Sequence, residues 1–298
     1  MEITVCTLAL NEENKIKKCL LSANKLTNKI IVGIDNNTTD QTEIIARKHC
    51  SEIYLVEHKN NFHFNKNFLI KKAKTEWILW IDSDEYLSDR LVSEIRQVVS
   101  QNKDNGYLIP RKNIIFNKWI KHSGWYPDYQ MRLFKRGQGL YPCKRIHENQ
   151  VVKGSIGKLK NNIIHNNYES VEQFIFKLNK YTSLDVNYLE KEIGKIKIVD
   201  LITRPANEFV KRLVAEKGYR DGIHGLVLSV LQSFYEFVVI AKIWEKQGFS
   251  EQKVSLVQIE KTTKQVVCDW RWWRWENKIE KNKGLVKLFY RIRRKFGI

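Results

Sequence analysis

The sequence predicts an α/β fold with a mostly parallel central sheet, followed by a helical, basic extension. Three observations predict it. Apolar runs of strand length recur at residues 3–8, 29–34, 53–56 and 77–81. Segments of helical spacing separate them, so strand and helix alternate four times within about eighty residues. That is the pattern of a parallel sheet with helices on its faces. Polar residues collect where the runs end, which in a parallel sheet is the edge where open α/β sheets bind ligands.

The elements follow in order. After the first strand come Asn11, Glu12 and Glu13. Asn11 is placed to cap a helix with acids in its first turn and with Ile16, Cys19, Leu20 and Ala23 on one face. The second strand ends in the polar turn Asp35-Asn36-Asn37-Thr38-Thr39-Asp40-Gln41-Thr42, which leads into a helix through Ile44, Ile45 and His49. A third strand and a helix over 68–73 precede Trp77-Ile78-Leu79-Trp80-Ile81-Asp82-Ser83-Asp84-Glu85.

That stretch is an apolar run ending in three carboxylates within four residues. Two acids spaced i, i+2 at a strand end can share a hard divalent cation. Such a cation can neutralise a departing diphosphate. The competing reading is that Asp82, Ser83 and Asp84 cap the next helix, and the stretch alone does not decide. Further on, Ser170-Val171-Glu172-Gln173 has the form of a capping box. A long helix is predicted to start there, with Phe174, Phe176, Leu178, Tyr181 and Leu184 read as core.

The chain has 298 residues, 43% of them hydrophobic, enough for one large domain or one domain plus an extension. Its net charge of +19 points to an anionic partner. Nucleic acid, an anionic membrane and phosphorylated substrates all qualify, and Lys-rich composition alone is the competing reading. The five cysteines are scattered without metal-type spacing and read as reduced thiols. Residues 1–4 carry no basic n-region, so no signal peptide is expected. No long uninterrupted apolar run exists, so no spanning helix is expected. The best stretch, residues 223–244, is broken by His224, Gln232, Glu236 and Lys242. Neither Gly-x-Gly-x-x-Gly nor Gly-x-x-x-x-Gly-Lys-Ser/Thr occurs. This argues against dinucleotide-binding dehydrogenases and P-loop enzymes.

The polar turns fit a more specific pattern. Leu8-Ala9-Leu10-Asn11-Glu12, Asp35-x-x-Thr38-x-Asp40-x-Thr42, Lys66-Asn67 and Trp80 to Glu85 resemble, in that order, the family 2 glycosyltransferase module, a GT-A fold that uses nucleotide sugars. Ile109-Pro110-Arg111, the run from His122 to Phe134, Ile146-His147-Glu148 and His165 continue the resemblance. That longer pattern is similar to the lipopolysaccharide-core and capsule subgroup. Arg204-Pro205 and Asp221-Gly222-x-x-Gly225 extend it to about residue 247.

The resemblance implies roles. Asp82 and Asp84 would bind the ribose and the metal–diphosphate, with Ser83 between them. Leu8, Asn11, Glu12, Asp35 and Asn36 would line the base and ribose site. Many members carry a second acid where this chain has Asn36, and that departure leaves the base open: UDP is the expected nucleotide, with ADP and GDP as alternatives. Lys66 and Asn67 would line the nucleotide pocket, although Lys66 also suits a solvated helix face. Asp128 would be the base that deprotonates the acceptor hydroxyl in an inverting transfer; its competing role is a turn cap after Pro127. Mn²⁺ or Mg²⁺ is the expected cofactor, with Asp84 and His147 as ligands and His165 as the alternative to His147. Trp125, Gln130, Arg132 and Glu148 are further candidates near the acceptor, and Arg132 and Arg145 are possible phosphate ligands.

The expected reaction moves a hexose, glucose first, from a nucleoside-diphosphate sugar to a lipid-linked saccharide of lipopolysaccharide core or capsule. A peptide acceptor is the alternative within the same chemistry, and a basic nucleic-acid-binding protein the alternative from another class. No nucleic-acid motif supports the latter.

The expected boundary separates a catalytic domain, residues 1–204, from an extension, residues 205–298. From Trp270 onward there are ten basic and two acidic residues, a net of +8, among Trp270, Trp272, Trp273 and Trp275. Trp suits lipid headgroups, and each Lys or Arg near anionic lipid adds about 1 kcal/mol. An anionic membrane surface is therefore the first expected partner of this tail, and self-association the second. The expected location is the cytoplasmic face of the cytoplasmic membrane.

Overall fold

A computed structural model describes residues 2–59, 61–143 and 149–296. The chain forms two compact units, one of Met1–Ile114 with Tyr126–Asn167 and the other of Ile115–Trp125 with Tyr168–Ile298. The expected boundary at residues 204–205 falls inside a helix, Ile198–Val210.

The first unit begins β1 (Ile3–Ala9), α1 (Ile16–Asn24), β2 (Ile30–Asp35), α2 (Thr42–Arg47), β3 (Glu52–Val56), α3 (His63–Lys72) and β4 (Trp77–Trp80). It continues through β5 (Glu85–Leu87), α4 (Asp89–Gln101) and β6 (Gly106–Ile115). A short strand of the second unit, β7 (Lys118–Trp119), intervenes. Then come β8 (Asp128–Lys135), β9 (Gly139–Leu140), β10 (Val151–Val152), β11 (Ile156–Lys158) and β12 (Ile163–Tyr168).

The sheet runs β3-β2-β1-β4-β8-β6-β12-β5, with β11 also paired to β6. β3, β2, β1 and β4 are parallel, as their strand–helix alternation requires. Beyond β4 the sheet turns antiparallel: β8 opposes both β4 and β6, and β12 opposes β5. β1, β2 and β4 are apolar almost throughout because both faces are covered. Ile16, Leu20 and Ile95 pack on one face, and Leu69 and Ile70 on the other. Each such side chain contributes roughly 1.5–3 kcal/mol when fully buried.

Two local readings are corrected. The third helix starts at His63 rather than Phe68, because the Asn61 side-chain oxygen accepts the His63 N–H at 3.0 Å and begins the turn early. The helix after the acidic stretch is capped by Ser88, whose hydroxyl accepts the Leu91 N–H. Asp82, Ser83 and Asp84 lie before β5 and cap nothing, which removes the competing capping explanation.

In the second unit, α5 (Val171–Ile193) starts where expected, with Ser170 Oγ accepting the Gln173 N–H. Phe174 and Leu178 are core there, while Phe176 is exposed. α6 (Ile198–Val210), α7 (Ile223–Lys246), α8 (Leu256–Lys281) and α9 (Gly284–Phe296) follow. Asp221 and its glycines are structural. Its carboxylate accepts the Lys121 and His122 N–H groups, and a Cβ on Gly225 would sit 1.8 Å from the Gly218 carbonyl oxygen. No spanning helix was expected; α7 has 24 residues and is, by length and composition alone, long and apolar enough to cross a membrane. The polar interruptions read from sequence are too few to lower its apolarity. The same composition suits a core helix, and Val239, Ile240 and Ile243 pack with Val186 of α5. No disulfide joins the five cysteines.

Candidate active site

The end of β4 delivers Asp82 into a cluster of cations. Its Oδ1 accepts from Lys66 Nζ and from Trp80 Nε1, each at 2.9 Å. Its Oδ2 accepts from an Arg132 guanidinium N–H at 2.5 Å. The same Arg132 nitrogen reaches Glu85 Oε1 at 2.7 Å, and Glu85 has no exposed surface. Burial opposes charge on Asp82, but Arg132 and Lys66 outweigh it and hold the carboxyl well below the usual carboxylate range. Burial likewise opposes charge on Lys66, and the adjacent Asp82 raises it instead. Both Asp82 oxygens are thus spent on donors, and Lys66 is buried rather than a solvated helix residue.

Asp84 sits in a different environment. Its Oδ2 lies 3.3 Å from His165 Nε2, and His165 Nδ1 lies 2.7 Å from Asn113 Oδ1. The Asn113 amide nitrogen faces Asp128 Oδ2 at 3.3 Å. A carboxylate only accepts, so that amide must present its N–H₂ to Asp128 and its oxygen to His165. His165 Nδ1 then carries the proton. His165 Nε2 faces the Asp84 carboxylate, and either a proton on Nε2 or a cation would join the two. This pair fits a divalent metal, with the carboxylate and imidazole as ligands. Among the described residues no group of three or more His, Cys, Asp or Glu is placed to hold a metal, so the pair would need further ligands.

Asp128 opens β8 directly opposite Arg111 of β6. Its Oδ2 accepts from Arg111 Nε at 2.7 Å and its Oδ1 from Gln130 Nε2 at 2.6 Å. Burial raises the Asp128 carboxyl, but the Arg111 guanidinium more than offsets this and leaves it below its ordinary value. Asp128 is therefore a strand residue held by an ion pair, not a turn cap. A polar cleft of about 280 Å³ lies beside this cluster, lined by Lys66, Asp82, Arg111, Gln130 and Arg132 among others.

The turns after β1 and β2 are tied together. Asn11, at a positive φ of 54°, accepts the Thr39 N–H through its side chain at 2.8 Å, and Glu12 N–H donates to Thr42 Oγ1 at 2.7 Å. Asp35 Oδ2 is 2.9 Å from His58 Nδ1, and Asn36 Oδ1 accepts the His58 N–H. Leu8 packs partly buried beneath, and Ser83 is buried. Asn67 spends its amide on the backbone N–H and carbonyl of Tyr141. Trp125 belongs to the second unit, against Tyr168 and under the Arg212 guanidinium. Arg145, His147 and Glu148 lie outside the described residues.

Sequence reasoning gave no role to Arg111, Asn113, Glu85 or His58. A signal existed for the first two. Arg111 and Asn113 are spaced i, i+2 on one strand, as Asp128 and Gln130 are on another, so each pair shares a sheet face.

Residues 4–150 match the family described as Glycosyl transferase family 2. A relative named lipopolysaccharide core biosynthesis glycosyltransferase LpsC, from Rhizobium meliloti (strain 1021), is 22% identical over 255 residues, covering 83% of this chain and 94% of its own. An uncharacterized glycosyltransferase of Rickettsia typhi is 25% identical over 266 residues, covering 82% and 87%. Among solved structures, residues 1–349 of S. aureus TarS in complex with UDP are similar at 15% identity and a TM-score of 0.45, covering 86% and 95%. The α/β fold with its helical C-terminal region is of GT-A type, and the protein is a glycosyltransferase whose residues 4–150 form a glycosyl transferase family 2 domain.

Proposed function

We propose that the protein is a metal-dependent, inverting hexosyltransferase. It moves a hexose, glucose first, from a UDP-sugar to a hydroxyl of a lipid-linked saccharide in lipopolysaccharide core or capsule assembly, at the cytoplasmic face of the membrane. The observation that carries this reading is the chain Asp84–His165–Asn113–Asp128, which connects the candidate metal ligands to the candidate base through one carboxamide. The relative named for lipopolysaccharide core biosynthesis supports the acceptor class.

Asp84 and His165 would hold Mn²⁺ or Mg²⁺, which supplies charge neutralisation to the departing diphosphate. Lys66, Arg111 and Arg132 line the cleft and supply positive charge where phosphate oxygens would lie. Asp82 fixes Lys66 and Arg132 in place rather than sharing the metal. Asp35 and Asn36, with His58, form the turn that would meet the base and ribose. Asp128 takes the proton from the attacking hydroxyl, and a single displacement needs no covalent intermediate. Its lowered carboxyl keeps it ionised at neutral pH.

The test is calorimetric titration with UDP, ADP, GDP and CMP, each with and without Mn²⁺. Selective, Mn²⁺-dependent binding of UDP is expected, weakened by Asp84→Ala and by His165→Ala. UDP binding that ignores both the metal and these substitutions would overturn the metal assignment.

A further inference from the structure

The last helix is turned inside out with respect to charge. On the side of α9 that meets α8, Tyr290 stacks on Trp275 with ring centroids 5.7 Å apart, and Arg293 lies 5.4 Å from the same ring. Arg294 pairs with Glu276 and sits 5.2 Å over Trp272. The opposite face is apolar and points outward. Leu285 is 84% exposed, Leu288 and Phe289 are each 52%, and Ile292 is 49%. Positions 285, 288, 289 and 292 form one stripe at helical spacing. A soluble helix normally buries that stripe, so here something outside the described chain has to cover it.

We infer that this face of α9 is a membrane-docking surface and that its partner is an anionic bilayer. Charge selects that partner. Arg291 and Lys295 are exposed on the same helix, and α8 with α9 carries eleven basic against four acidic residues. Headgroup phosphates would match those cations while acyl chains cover the stripe. A second copy of the chain would bring like charges together around the same stripe, in a protein already at +19. Geometry selects the mode. Thirteen residues make a helix of about 20 Å, short of a hydrocarbon core of about 30 Å, so α9 lies in the interface and does not cross it. Trp272 and Trp273, 44% and 36% exposed, suit headgroup depth.

This deepens the membrane-side reading above, yet vesicle binding is measured without donor or acceptor. Nucleotide titration of the same variants therefore separates its failure from that of the transferase reading. The full chain is floated with phosphatidylcholine vesicles and with vesicles containing phosphatidylglycerol. At least tenfold stronger binding to the anionic vesicles is expected. Leu285→Ser with Phe289→Ser and Ile292→Ser should lose tenfold or more at unchanged circular dichroism. Arg291→Glu with Lys295→Glu should erase the preference for anionic lipid, at about fivefold per cation. Leu285→Glu alone, at the most exposed position, is the control if the triple variant folds poorly, and it should weaken binding in the same direction. Equal binding to both vesicle types, no loss in the apolar variants, or a wild-type dimer that those variants dissolve would each overturn the inference.

Discussion

The two units manage the same surplus of cations in opposite ways. In the first, Lys66, Arg111 and Arg132 face the carboxylates of Asp82, Glu85 and Asp128 at hydrogen-bond distances. In the second, Arg293 of α9 lies over the Trp275 ring, and Arg294 lies over Trp272 while also pairing with Glu276. Charge-assisted hydrogen bonds fix atoms in direction as well as distance. A cation over a ring at an exposed site contributes about 0.5–1 kcal/mol and constrains far less. Buried ion pairs are weak sources of stability because desolvation offsets the attraction. The first arrangement is therefore intelligible as a device for holding groups in place, and the second as a way to turn a helix so that its apolar side faces out.

The comparison breaks most visibly at Asp84. Asp84→Ala should remove the Mn²⁺ dependence of nucleotide binding and cut transfer by on the order of a hundred- to a thousandfold, the scale for losing one electrostatic stabiliser. Steady-state kinetics with and without metal checks this. No substitution confined to α9 should change the metal dependence at all.

Stability sharpens it next. Arg132→Met takes the nearer counter-charge from Glu85, fully buried, and leaves it Arg111 at 3.6 Å, and denaturant unfolding should show a loss of about 3 kcal/mol, the low end for a broken buried pair because Arg111 remains. Arg293→Met on α9 should cost less than about 1 kcal/mol. The sign with pH follows from Asp82. Its folded carboxyl lies below the ordinary value, so its stabilisation is present above the unfolded carboxylate range and is lost as pH falls toward the folded value. Arg132→Met should flatten that acid dependence.

How much of this the sequence disclosed depends on which force places each residue. The parallel half of the sheet was legible because burial on both faces leaves near-continuous apolar runs, as at 77–81. The antiparallel half was not, since β8, β6 and β12 come together through pairings between distant segments that no local pattern records. Asp84, Asp128 and His165 stood out as candidates from their residue types and from the family resemblance, His165 as the alternative to His147. Their partners were hidden for the same topological reason. Arg111 meets Asp128 only because β6 and β8 pair in that register, and Asn113 reaches His165 across 52 residues. The outward stripe on α9 was visible as amphipathicity, but which side would pack on α8 was not.

Asn113 is the positioning residue in this scheme. Its side-chain oxygen faces His165 Nδ1 and fixes that tautomer. Asn113→Ala should weaken Mn²⁺-dependent nucleotide binding about 10- to 100-fold, the usual cost of losing the group that orients a metal-binding histidine. Asn113→Asp keeps an oxygen acceptor for His165 and should recover much of that affinity, while placing a second carboxylate against Asp128 and slowing transfer at low pH. Equal loss in both variants, with a lowered melting temperature, would assign Asn113 to the fold alone.

The smallest expected effect is the most specific. Burial raises the Asp128 carboxyl, but the Arg111 guanidinium outweighs it and keeps the folded value low. In Arg111→Gln the larger part of that depression is lost, while the Gln130 and Asn113 hydrogen bonds remain, so Asp128 titrates at a higher pH. The acid limb of the pH–rate profile should move upward with it, because the base must be ionised to accept the hydroxyl proton. At neutral pH the carboxylate stays charged in both proteins, and the rate should change by less than about tenfold, since a stronger base partly offsets the lost orientation. An acid limb that stays put while the neutral rate collapses would mean that Arg111 serves the donor phosphates in the cleft it lines, and that Asp128 answers to another partner.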